Sequence, residues 1–149
     1  MKKYISVLKS TKLFAGVGDD EIASMISCLG AKPCTYKKGE YVLRQGEHLS
    51  DIIVLIEGSL YIQTDDYWGN RSILGKIGVG ETFGEAYASP ESGAFPNDIV
   101  AVENSVVIFF NVRRIITVCS AACHFHTLVI QNMFFSISEK NRNLVRKLG

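Results

Sequence analysis

The chain has 149 residues, 47% of them hydrophobic and 21% charged, with 16 Lys and Arg against 15 Asp and Glu. That is the length of one domain. A net charge of +1 excludes a basic nucleic-acid sleeve, an acidic solvating tail and a charge-rich disordered chain. No apolar run reaches the roughly 18–20 uncharged residues of a membrane span. The N-terminus opens like a secretion signal, yet Lys9 and Lys12 interrupt the apolar stretch that export needs. A cytoplasmic protein is expected, and its four cysteines, Cys28, Cys34, Cys119 and Cys123, are read as reduced thiols.

The first thirty residues have helical texture. After Gly18-Asp19, the apolar positions Ile22, Met25, Ile26 and Leu29 follow helical spacing, and Gly30 stands where a helix stops. Asp19, Asp20 and Glu21 place negative charge at the positive end of that helix.

From residue 31 to about 111 the texture becomes that of strands. Residues 41–44, 51–56, 59–64, 71–77, 99–102 and 106–110 are short runs rich in Val, Ile, Tyr and Thr, separated by Gly-containing turns. Such spacing predicts a sandwich or barrel, and about eight strands suit a double-stranded β-helix, or jelly roll. Gly39, Gly46, Gly58 and Gly80 sit at the strand reversals, where a positive φ is expected. Trp68-Gly69-Asn70 reads as a hairpin tip.

Helical texture returns from Arg113. Residues 121–148 contain neither Gly nor Pro and predict a long C-terminal helix of roughly 40 Å. It is apolar on two faces, one through Phe125, Leu128, Asn132 and Phe135, the other through Ile130, Phe134 and Ile137. Two apolar faces call for two partners. The first set is expected to face the same helix of a second chain, giving a homodimer, and the other to face the barrel. A single wide stripe against the chain's own core is the alternative. The expected division is 1–30 helical, 31–111 barrel and 112–149 helical.

This order, with KKGEYVLRQGEHLSDIIVLIEGSLYI, then ILGKIGVGETFGEAYA, then a strand pair and a long helix, resembles the sensor domain of the Crp/Fnr transcription regulators. The resemblance runs from about residue 13 to the end. It implies a cyclic-nucleotide-binding-type fold in which Phe83-Gly84-Glu85-Ala86 cradles a phosphate and Glu85 meets a ribose hydroxyl. By the residues alone, Glu85 is equally a structural hydrogen-bond anchor, and a Gly before a helical turn an anion cradle.

The departures from that pattern are informative. Where nucleotide-binding members carry Arg and then Ser or Thr, this chain has Phe95-Pro96, and no Arg or Lys lies between Lys76 and Arg113. Where a hydroxyl pair meets the base, it has Ile137-Ser138. The resemblance therefore implies a pocket of Leu74, Phe83, Phe95, Phe134 and Ile137, with Glu85 and Ser138 as polar points. Such a lining suits a small aromatic or apolar effector other than cAMP or cGMP. The expected function is effector sensing and dimerisation in a transcription regulator that reaches DNA through a helix-turn-helix domain beyond Gly149. A stand-alone ligand-binding module without a DNA role is the alternative.

Other chemistry is weakly represented. Cys119, Cys123, His124 and His126 have metal-like spacing, but Cys119 and Cys123 are one turn apart and His124 and His126 diverge. Jelly-roll metalloenzymes need two or three strand histidines, and only His48 lies in the strand region. No enzyme activity, resident metal or cofactor is expected.

Overall fold

The computed structural model describes residues 2–84, 94–116 and 124–148, the side chains at 2, 124–126, 141 and 143–148 excepted. Two helices come first, α1 (Lys2–Ser10) and α2 (Asp19–Cys28). Eight described strands follow: β1 (Pro33–Tyr36), β2 (Tyr41–Leu43), β3 (Asp51–Glu57), β4 (Leu60–Asp65), β5 (Arg71–Ile77), β6 (Thr82–Phe83), β7 (Asp98–Ala101) and β8 (Ser105–Asn111). The chain ends in α3 (Val112–Ile116) and α4 (His124–Leu148).

The strands form two antiparallel four-stranded sheets, ordered β1-β8-β3-β6 and β2-β7-β4-β5. This is the mostly β jelly roll that the strand spacing predicts. Expected boundaries differ by a residue or so. The expected helical start is two helices with a turn between them, and β1 and β6 are additional strands.

The sheets divide the interior in two. On β3, side chains alternate between faces, and both faces are buried. Ile52, Val54 and Ile56 meet Leu8, Phe14, Ile22, Met25, Ile108, Phe110, Ile115 and Val129 in a helix-facing core. Ile53 and Leu55 face the barrel interior with Leu43, Leu49, Leu60, Ile77, Phe95, Ile99 and Val107. A strand covered on both sides reads as a continuous apolar run, as residues 52–56 do.

The turns are built on a repeated device. Backbone N–H groups of Lys37, Arg44 and Gly78 donate to the carboxylates of Glu40, Glu47 and Glu81, at 2.7, 2.7 and 2.9 Å. The Gly before each Glu has a positive φ. Gly58, at φ 93°, shows the steric side of the requirement: a Cβ there would lie 2.6 Å from the Asn104 carbonyl.

Candidate functional site

The barrel mouth is assembled from two of the turns and the short strand β6. Phe83 pairs with Ile53 and carries its ring against Phe95, centroid to centroid 5.3 Å in an edge-on arrangement. Phe95 is 1% exposed. Its backbone is bridged on both sides: its N–H donates to the Glu47 carbonyl at 2.8 Å, and Gly46 N–H donates to the Phe95 carbonyl at 2.9 Å. The Gly39-Glu40 turn makes the same double bridge to Ala101. The two Gly-Glu pairs thus dock loops onto the barrel, and the second fixes Phe95 with its ring in the core.

Gly84 has φ 103°, and a Cβ there would lie 2.8 Å from both the Asp51 carbonyl and Leu49 Cδ2. Close packing on the start of β3 therefore demands glycine at this position, whatever binds nearby. The Asp51 carboxyl is pushed above its ordinary 3.8 by burial, an effect opposed by its hydrogen bond with Asn111. Glu85 and Ala86 lie outside the described residues.

The other expected pocket residues lie on β5, on α4 and just after Phe95. Leu74 is 55% exposed on β5. Across from it, Ile62 pairs with Gly75 and Gln63 with Ile73, so the ladder skips Leu74. Phe134 and Ile137 are exposed on α4. Ser138 is half-buried, and Pro96 is exposed just beyond Phe95.

The two faces of α4 also differ from expectation. Leu128, expected on the dimer face, packs against the helix-facing core of its own chain. Asn132 donates from Nδ2 to the carbonyls of Leu13 and Ala15, at 3.0 and 2.9 Å, and so belongs to the inward face. Ile130, expected with Phe134 and Ile137, is partly buried against that core. The outward apolar surface is Phe134, Phe135 and Ile137, with the two phenylalanines 66% and 65% exposed. The Phe125 side chain lies outside the described residues.

Sequence reasoning missed the polar ties of α4. Lys12 Nζ meets Glu139 Oε1 at 2.6 Å, and Lys140 Nζ donates to the Thr82 carbonyl at 3.2 Å. Their only sequence signal is charge on the C-terminal half of a helix of mixed polarity. Among the described residues, no cluster of three His, Cys, Asp or Glu could hold a metal. The Cys119, Cys123, His124 and His126 constellation falls outside what is described. No described helix is long and apolar enough to cross a membrane.

A family model described as a cyclic nucleotide-binding domain matches residues 33–122, more than half of the chain. The chain belongs to the cyclic nucleotide-binding domain family. Human cGMP-dependent protein kinase 2 is 28% identical to it over 106 residues, which is 70% of this chain and 14% of the kinase. Two solved structures share the cyclic nucleotide-binding fold closely. The catabolite activator protein of Thermus thermophilus aligns with a TM-score of 0.75 at 21% identity, covering 93% of this chain and 62% of that one. The sensor domain of the transcriptional regulator DNR from Pseudomonas aeruginosa gives 0.74 at 19% identity, covering 99% and 92%.

Proposed function

We propose that this cyclic nucleotide-binding domain is the effector-sensing, dimerising part of a Crp/Fnr-like transcription regulator, with an effector other than cAMP or cGMP. It would act in the cytoplasm as a homodimer, without catalysis, and reach DNA through a helix-turn-helix domain of the same regulator. The proposed division keeps the helical segment 1–30, the barrel 31–111 and the helical segment 112–149. The effector is a small, largely apolar or aromatic molecule, and Phe83 and Phe95 are its first candidates for contact.

One observation carries this reading. At the place where the resemblance calls for a phosphate-pairing Arg, Phe95 is held by two backbone hydrogen bonds with its ring in the barrel core. A phosphate there would be desolvated without a cation. Losing one partner of a buried charge pair costs about 2–5 kcal/mol, and each 1.4 kcal/mol is a factor of ten in affinity. Phe95 further opposes an anion by occupying the space with an apolar ring.

Calorimetry with cAMP and cGMP tests the reading, and neither is expected to bind in the low-micromolar range. Low-micromolar binding that Glu85→Ala abolishes would overturn it, since another group would then be replacing the missing cation. Native mass spectrometry of freshly purified protein is the direct route to the effector itself.

A further inference from the structure

The end of α1 with the turn after it, the turn into β6 and the C-terminal half of α4 meet around a polar cleft of about 270 Å³. Its walls include Ser10, Lys12, Glu81, Ser136, Glu139 and Lys140, none of them part of the barrel-interior core. Ser136 is the unusual member. It is 7% exposed, and its hydroxyl has no hydrogen-bond partner among the described residues. A polar group buried without a partner is costly, and in folded proteins such groups meet a water, an ion or a ligand. Lys12 is only partly used as well. Its ammonium has three N–H donors, and one of them goes to Glu139 Oε1 at 2.6 Å; the others have no partner among the described residues. The charges are unequal too. Lys12, Arg142 and Lys140 all act on the Glu139 carboxyl, while Glu81 is taken up by the Gly78 N–H at 2.9 Å. Three cations against two carboxylates leave one positive charge in excess beside unused donors.

We propose that this cleft binds a small oxyanion of the phosphate class, either free phosphate or the monoester of a small alcohol, between the Ser136 hydroxyl and the remaining N–H groups of Lys12. Both are donors, and a phosphate offers several acceptor oxygens on one centre. Hydrogen bonds from an ammonium to an ionised oxygen are among the short, strong ones. A water molecule satisfies the hydroxyl but leaves the excess charge, and an apolar ligand satisfies neither. The volume admits a phosphate carrying a short alcohol and falls below the usual size of pockets for larger organic ligands. Glu139 competes with the anion, since it already holds one donor of Lys12. Lys12 is also largely exposed, so binding is modest in strength and weakens with salt. The site does not depend on which effector the barrel takes, and its test uses none.

Titration of the full chain with inorganic phosphate, followed by amide NMR shifts, tests it. Binding should saturate with a midpoint at or below about 1 mM, with the largest shifts at residues 10–12 and 136–140. Ser136→Ala should weaken it roughly tenfold, the worth of one hydrogen bond to a charged group, and Lys12→Met should weaken it further. Glu139→Gln should tighten it, because the competing carboxylate is gone. The urea midpoint of Ser136→Ala should be unchanged or higher, since the hydroxyl has no partner to lose. Glycerol phosphate distinguishes the sources: tighter binding than inorganic phosphate assigns the cleft to an ester, and no gain assigns it to free phosphate. Absence of saturation by about 10 mM with either probe, or saturation that Ser136→Ala and Lys12→Met leave unchanged, overturns the proposal. So does weaker binding in Glu139→Gln, or a lowered urea midpoint in Ser136→Ala, which would mean that the hydroxyl is used within the chain.

Discussion

The barrel interior and the long helix are held by different means. Inside the barrel, Phe95 lies among Leu43, Leu49, Ile53, Leu55, Leu60 and Ile99, all buried, and its backbone is bridged to the Gly46-Glu47 turn. Along α4, buried apolar contact centres on Val129 and its partly buried neighbours Leu128, Ile130 and Met133. The Asn132 amide adds a polar tie among them, and further along the helix the attachment passes to the Lys12–Glu139 pair and the Lys140 ammonium. Close-packed apolar contacts resist exchange because any displaced atom leaves a void. Polar contacts near the surface exchange readily with water. By packing, the barrel is thus the more tightly held part, and the looser part is the helix, on which Phe134, Phe135 and Ile137 are exposed.

The sharpest way to break the contrast is to empty the rigid side. Phe95→Ala should cost about 3–5 kcal/mol, the range for removing a buried aromatic ring, read from urea denaturation. The double backbone bridge limits collapse of the site and places the loss towards the upper end. A loss of only about 0.5 kcal/mol, the level of an ordinary surface change, would mean that Phe95 is not the plug its burial implies.

On the helix side, the comparison is between faces. Phe134→Asp and Phe135→Asp should leave the monomer's denaturation nearly unchanged and weaken self-association, each by about 1.5–3 kcal/mol of lost apolar cover. Light scattering should give twice the 16.5 kDa chain mass for the wild type and the chain mass for the double variant. Leu128→Glu should do the reverse, lowering stability before it alters mass, because Leu128 packs on its own core. A wild-type monomer at high concentration would remove the outward face as a dimer surface.

That inversion shows what the sequence could carry. The strands were legible because period-2 runs and glycine turns are local signals, and β3 announced its double burial through five consecutive apolar residues. The β6 strand has two residues, too few for any period to register. The faces of α4 were illegible for another reason. Apolar residues surround much of the helix, so periodicity alone does not say which side meets the core. The decision rests on Asn132 finding carbonyls 117 and 119 residues away. Phe83 and Phe95 were named together through the family pattern, but the bridge that locks Phe95 joins turns about fifty residues apart. The break in register between Ile62 and Gln63, which leaves Leu74 without a partner in the β4–β5 ladder, is likewise something no composition reveals.

The smallest expected effect concerns acid and the Lys12–Glu139 ion pair. The Glu139 carboxyl sits below its ordinary 4.5, first through the hydrogen bond from Lys12, next through the charge of Lys12, with Arg142 and Lys140 adding to it. A carboxyl depressed on folding contributes its full stabilisation above the unfolded value and loses it as the pH falls through the folded one. The contribution is therefore complete above about pH 4.5 and fades only on acidification below it. Both side chains are largely solvent-exposed, so it should be small and shrink further with salt. Carbon-detected titration of Glu139 should give a midpoint below 4.5 that moves back towards it in Lys12→Gln. The stability difference between the wild type and Glu139→Gln should be present at pH 7 and gone once Glu139 is protonated. A midpoint at or above 4.5, or a difference unchanged by acid, would mean that the pair does not hold the helix in solution, leaving Lys140 and Asn132 as its polar ties.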